Sequence, residues 1–239
     1  MFKIPEQYKA GVNIALKDFV PKELKPEQKK RIKDSIKKVQ LTYQIVGEEI
    51  PSVVSDEYRC QVIQFYDIEI RSMKDAAFLA GIYQGLIKPL CVIRLHDSMD
   101  EAYSLSLKRL NQQDNSQIVV ECSEMTESYP VGLPDAKRDR LFSYIEFAKV
   151  KNITDKINFY KEIYTKVYLV SNEKTYSNTA DILDSNVWYD AKRTGRILSY
   201  YKGLVDERMM LTRVVTNAEK VSINQRIKEE IKLLDEERY

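Results

Sequence analysis

The pattern Asp67-x-Glu69-x-Arg71 comes closest to chemistry in this chain. Alternate residues of a strand share a face, so Asp67 and Glu69 would point the same way and could hold Mg²⁺ in a nuclease. Metal-dependent nucleases of the restriction type follow an acidic pair with a lysine two residues on. Here that place is taken by Arg71, which stays protonated and cannot serve as a base. A hairpin also normally precedes such a strand, whereas the pattern here puts a helix before it. Ordinary ion pairing on a sheet face is the favoured reading of Asp67 and Glu69, and catalysis by the pair is the alternative.

Other catalytic constellations are poorly represented. A serine or cysteine nucleophile usually needs a histidine base, and the single histidine, His96, falls at the end of an apolar strand where a structural role is more common. Cys60, Cys91 and Cys122 with His96 would make a Cys₃His zinc set, but no two lie at the usual two-to-four-residue spacing, so no metal is expected. The odd count, with each thiol in or beside a β-like run, reads as buried reduced cysteines. Seven glycines form neither a GxxxxGK[ST] nor a GxGxxG run, which argues against the common nucleotide cradles and leaves no cofactor expected. An enzyme is the less favoured class.

Charge and composition narrow the remaining choices. With 38 basic and 36 acidic residues the net charge is +2, so any basic surface must be local. An apolar content of 44% and 16 tyrosines mark a folded chain, and no apolar run approaches the roughly 20 residues of a membrane span. The opening MFKIPEQYKAGVNIALKDF is broken by Pro5 and by charges and lacks a signal-peptide core. A cytoplasmic address is expected.

These residues need elements to position them. Lys25-Pro26-Glu27 predicts a helix start, and Ile32, Ile36, Val39 and Tyr43 at i, i+4, i+7 and i+11 predict an amphipathic helix over 26–45. Lys29, Lys30, Lys33 and Lys37 would line its outer side, either as a solvated face or as a contact for nucleic acid or another anionic partner. Residues 47–55 read as a connector and 60–70 as a strand. Residues 73–87 read as a helix, with Gly81 and Gly85 letting it lie close to a sheet. Strands at 89–96, 102–108 and 118–123 follow, the first two joined as a hairpin. Strand, helix, strand normally places the two strands parallel and right-handed.

After Pro134 the spacing is mostly helical, over 135–149, 154–170 with Thr154 as cap, and about 190–213; 173–184 reads as loop. In the last segment Ile223, Ile227, Ile231 and Leu234 form a seam. It would pack on the preceding helix or, alternatively, serve a partner or a homodimer. The expected fold is α+β: a mixed β-sheet with a β-α-β-β-β core, an N-terminal amphipathic helix and a helical C-terminal region. Residues 1–55 form the basic helical segment, one domain with the core at 56–130, and 131–239 are mainly helical.

The opening Met1-Phe2-Lys3-Ile4-Pro5, the helix ending near Tyr43-Gln44, the strands QVIQFYDIEI and KPLCVIRLHD, and the seam in KVSINQRIKEEIKLL resemble domain-of-unknown-function family 4391 of bacteria. The resemblance transfers no catalytic residues. Members are often encountered beside restriction–modification or helicase-type genes, so it implies an accessory role in antiviral defence. The resulting expectation is a non-catalytic protein that contacts protein partners of a defence complex, with DNA as a second candidate partner. The divergent metal-dependent nuclease using Asp67 and Glu69 is kept as the alternative.

Overall fold

A computed structural model describes residues 2–238; Met1 of the opening motif and Tyr239 at the end of the helical region lie outside the described residues. Strand β1 (Lys9–Ile14) comes first, and α1 (Leu16–Phe19) leads to α2 (Pro26–Ser35). Proline sits at the first position of α2, where a missing N–H leaves nothing unpaired, and Glu27 lies in the first turn.

Helix α2 ends well short of the expected Ile45, because residues 36–45 form strand β2 (Ile36–Ile45). The stripe Ile32, Ile36, Val39, Tyr43 fits a helical period. The same run is also rich in β-branched and aromatic residues, and pairing along β5 (Ile63–Ile70) decides in favour of the strand. The connector holds a small hairpin of β3 (Val53–Val54) and β4 (Arg59–Cys60). Strand β5 is followed by α3 (Ala76–Leu86), β6 (Leu90–His96), β7 (Asp100–Leu110), β8 (Ile118–Met125) and β9 (Tyr129–Pro130).

The main sheet runs β1-β2-β5-β6-β7-β8, with β9 also on β7. Only β5 and β6 are parallel, joined through α3 as the crossover rule requires; every other pairing in the sheet is antiparallel. The fold is therefore α+β with a mixed sheet, larger than the expected core by the two N-terminal strands and the short β9. β1 is an exposed edge strand with a bulge between Lys9 and Val12, where Gly11 takes φ +62°.

Period-two alternation divides the side chains between two cores. Val39, Leu41, Tyr66, Ile68, Ile93 and Leu95 face α1, α2 and α3. Gly81 and Gly85 do not mediate this contact: a Cβ at either would meet nothing within 4 Å, and Ala76, Leu79, Ala80, Tyr83 and Gln84 are the buried positions of α3. Ile63, Phe65, Leu90, Val92, Tyr103 and Leu105 face the helical region on the other side.

That region comprises α4 (Ala136–Ile145), α5 (Lys156–Ser171), α6 (Thr179–Asp184), α7 (Ala191–Leu211) and α8 (Asn217–Glu237). Asp155 rather than Thr154 caps α5, accepting from Asn158 N, and part of the expected loop at 173–184 is α6. Tyr160 of α5 ties helix to sheet, its Oη donating to Cys91 O at 2.6 Å and accepting from Ser106 N at 3.1 Å. No helix among the described residues is long and apolar enough to cross a membrane.

Candidate functional site

Helices α4 and α5 cover only part of their face of the sheet. Beyond Phe65, Val92 and Tyr103, the same period-two rows continue as Asp67 on β5, Arg94 and His96 on β6, and Glu101 on β7. Asp67, Arg94, Glu101 and Tyr103 line a cleft of about 490 Å³ with Lys9, Gly11, Gln40, Tyr43 and Phe142 around them. Parallel register sets Asp67 opposite Arg94, and antiparallel register sets His96 opposite Glu101.

Each carboxylate on this surface has a cation. Arg94 Nη1 donates to Asp67 Oδ2 at 2.6 Å, and His96 Nε2 lies 2.9 Å from Asp67 Oδ1. The other side of the Arg94 guanidinium reaches Glu101 Oε2, from Nε at 2.6 Å and from Nη2 at 2.6 Å. Arg138 of α4 closes the network, its Nη1 donating to Glu101 Oε1 at 3.3 Å and to Pro130 O at 2.9 Å while Nη2 donates to Leu133 O at 2.7 Å. Glu101 is buried, so its charge depends on these two arginines.

The network shifts its own titrations. Burial works to raise the carboxyl of Asp67, but the hydrogen bonds from His96 and Arg94 outweigh it and hold the group below the usual range. The hydrogen bond to Asp67 raises His96 against the opposing effect of burial. Its second nitrogen, Nδ1, is 3.3 Å from Asp97 O. Both ring nitrogens therefore face acceptors, which the imidazolium satisfies and neutral histidine does not.

Glu69 shares the face of Asp67, as the alternation predicted, but lies beside Lys37 Nζ at 3.2 Å. Arg71 lies past the end of the strand and donates from Nε to Asp34 O at 2.7 Å, away from the acidic pair. The element before β5 is not the expected helix: the small β3–β4 hairpin precedes it and β2 pairs antiparallel with it, which removes that objection to the nuclease pattern. No group of three or more His, Cys, Asp or Glu placed to hold a metal ion occurs among the described residues. His96 is engaged by Asp67, while Cys91 lies near Gln84 and Lys108.

The other nominated surfaces fare differently. Lys30 and Lys33 are exposed on α2; Lys29 is half-buried and donates to Lys22 O at 2.5 Å, and Lys37 belongs to β2. The four lysines therefore do not form one helical face. In the seam, Ile223, Ile227 and Leu234 are buried in the core that contains α7, with Ile231 packed against it. Helix α8 thus folds back on α7, and these side chains are not presented to a partner.

Arg94, Glu101 and Arg138 were not singled out from sequence. A signal existed for Arg94: Arg94-x-His96 breaks an apolar strand at period two, as Asp67-x-Glu69 does. Glu101 fell in an expected turn and Arg138 at a helix start, where charged residues are commonplace.

A family model described as Domain of unknown function (DUF4391) matches residues 2–233, and the chain belongs to that family. No curated protein and no solved structure compared with the chain matches it.

Proposed function

We propose that this DUF4391 member is a non-catalytic binding protein that contacts a macromolecular partner. The partner is a protein of a bacterial antiviral-defence complex in the cytoplasm, with DNA as a second partner. One observation carries the reading: the carboxylates on the open sheet face are matched to cations, Asp67 to Arg94 and His96 and Glu101 to Arg94 and Arg138. A catalytic acid or base needs a proton to exchange with substrate, whereas here the lone pairs and donors are spent on holding three strands and α4 in register. The result is a rigid, ordered polar surface. Exposed Lys30 and Lys33 supply a basic contact outside it.

Capture of the tagged full chain from its native cells, with mass spectrometry of what co-purifies, tests the reading. A stoichiometric protein partner is expected. A chain recovered alone that turns over a substrate would overturn it. Lys30→Glu with Lys33→Glu is expected to weaken DNA binding and flatten its salt dependence.

A second reading has a specific observation in its favour. Asp67 and Glu69 share one face of a strand that follows an antiparallel partner, beside an open cleft, as a divergent metal-dependent nuclease would need. Incubation with DNA and RNA plus Mg²⁺ or Mn²⁺, wild type against Asp67→Ala, separates the two. Cleavage by the wild type that is lost in the variant selects the nuclease.

A further inference from the structure

The α2 lysines are divided between a helix and a strand, but a second basic surface, invisible in the sequence, forms where α5 and α7 lie side by side. Asn158 and Lys161 from the first half of α5, with Lys192, Gly195, Arg196, Ser199 and Tyr200 from the first half of α7, line an open groove of about 720 Å³. The cations come from helical positions more than thirty residues apart and meet only in the fold. Gly195 lies against Lys161, where a Cβ would stand 3.0 Å from Nζ at the end of that flexible side chain.

The positive charge belongs to side chains. Asp155 and Asp190 cap the two helix starts and take their free amides, so the helix poles are occupied. Arg196 is held by Glu237, which also binds Arg193. Among the described residues, Lys161 and Lys192 form no ion pair, with the Asp155 and Asp190 carboxylates at the nearby helix starts engaged in capping. At the same end of the helices the connectors bring Lys151 to within 5.9 Å of the Tyr189 ring, and Tyr189 is 59% exposed. Lysines in the groove and an exposed aromatic ring two residues before Ala191, which lines it, fit a single nucleic-acid strand, with phosphates on the lysines and a base against the ring. A folded duplex would offer the ring no free base face.

We infer that the α5–α7 groove binds single-stranded nucleic acid, its phosphodiester backbone on Lys161 and Lys192 and a base on Tyr189. The inference rests on the proposed binding role and names a surface and a ligand class for it. The test is fluorescence anisotropy of the full chain with a labelled oligothymidylate and with a duplex of equal length, across 50 to 200 mM salt. Wild type is compared with Lys161→Glu/Lys192→Glu, with Lys161→Gln/Lys192→Gln, with Tyr189→Ala and with Lys30→Glu/Lys33→Glu.

Wild type is expected to bind the single strand more tightly than the duplex. The groove Glu pair should weaken single-strand binding about tenfold or more, and the Gln pair should lower the log–log salt slope by about 1.4, the share of two phosphate contacts on a single strand. Tyr189→Ala should weaken the single strand by about fivefold or more and leave duplex affinity unchanged. Preference for the duplex, single-strand affinity unchanged in the groove variants, or no binding by wild type overturns the inference. Loss confined to the Lys30/Lys33 variant overturns the groove while leaving the proposed binding role intact, as does capture of a protein partner by a chain that binds neither oligonucleotide.

Discussion

His96 Nε2 lies 2.9 Å from Asp67 Oδ1 across the parallel pair β5–β6, with His96 Nδ1 3.3 Å from Asp97 O. An imidazolium donates to both; a neutral ring leaves one acceptor facing an acceptor. The folded pKa of His96 is raised by the Asp67 hydrogen bond, so its stabilisation is fully present below the unfolded value of about 6.5 and is lost as pH rises through the folded value. Asp67 is held low, so its contribution is present above about 3.9 and lost as pH falls through its folded value. His96 is the single histidine, so NMR titration of one imidazole reads the pair directly. We expect a pKa above 6.5 in the wild type and a fall in Asp67→Asn; a wild-type value at or below the ordinary one would show that the pair does not form.

Glu101 bridges two guanidiniums from a buried position. Glu101→Gln keeps the shape and removes the charge, leaving Arg138 with the carbonyls of Pro130 and Leu133 and a longer contact to Asp139 at 3.8 Å. Breaking a largely buried pair from one side should cost about 2–4 kcal/mol. Urea unfolding measures it, and a loss below about 0.5 kcal/mol would show that water already screens the network.

The α7–α8 hairpin makes the seam a stability element. Leu234 and Ile223 are buried against the core that includes Tyr201 and Leu204. Leu234→Ala should lower stability by about 2–4 kcal/mol through lost burial and a residual cavity. Size-exclusion chromatography with light scattering should show the same oligomeric state as wild type. A change of assembly without loss of stability would return the seam to a partner.

Where sequence patterns had one physical meaning they carried through to structure. Strand β5, helix α3 and strand β6 follow from alternation and helical spacing, and their parallel crossover from the strand–helix–strand order. At Ile36–Ile45 the spacing suited two periods, and pairing with β5, information outside the segment, settled it. β1 has too few apolar residues to announce itself because an edge strand is exposed. In the candidate site Asp67 and Glu69 were legible because they neighbour each other on one strand. The Arg94–Glu101–Arg138 chain was not, since its members come from three elements whose registers only the folded sheet sets.

Gly203 on α7 sits under Glu230 of α8: a Cβ at position 203 would be 2.6 Å from Glu230 Oε1 and 3.0 Å from its Cδ. Glu230 is raised first by burial and then by the like charges of Glu229 and Glu207. The blocking atoms are the end of a flexible side chain that gains by moving to water. Gly203→Ala should therefore stabilise the protein, by about 0.5–1 kcal/mol of helix propensity, with Glu230 swinging outward. Thermal unfolding checks the sign; a lower midpoint would show that the hairpin cannot open enough to release the carboxylate.

Glu124 on β8 lines a second cleft, of about 600 Å³, with Lys137, Arg140 and Glu173. Burial pushes its carboxyl up to about 7, against a Ser171 hydrogen bond that works the other way. An acid whose folded pKa lies above its unfolded value of about 4.3 destabilises the fold increasingly as pH rises between the two, because the folded state must give up a proton that it holds more tightly. Glu124→Gln removes that cost. The variant should match wild type near pH 4 and exceed it by about 2–3 kcal/mol at pH 8, with the difference growing through the interval. The slope has the same direction as that of His96, so wild type alone cannot assign it; Glu124→Gln in an Asp67→Asn background should remove both parts additively, as distant sites do. Equal stability of Glu124→Gln and wild type at pH 8 would mean that the Glu124 carboxylate reaches water and carries no such burden.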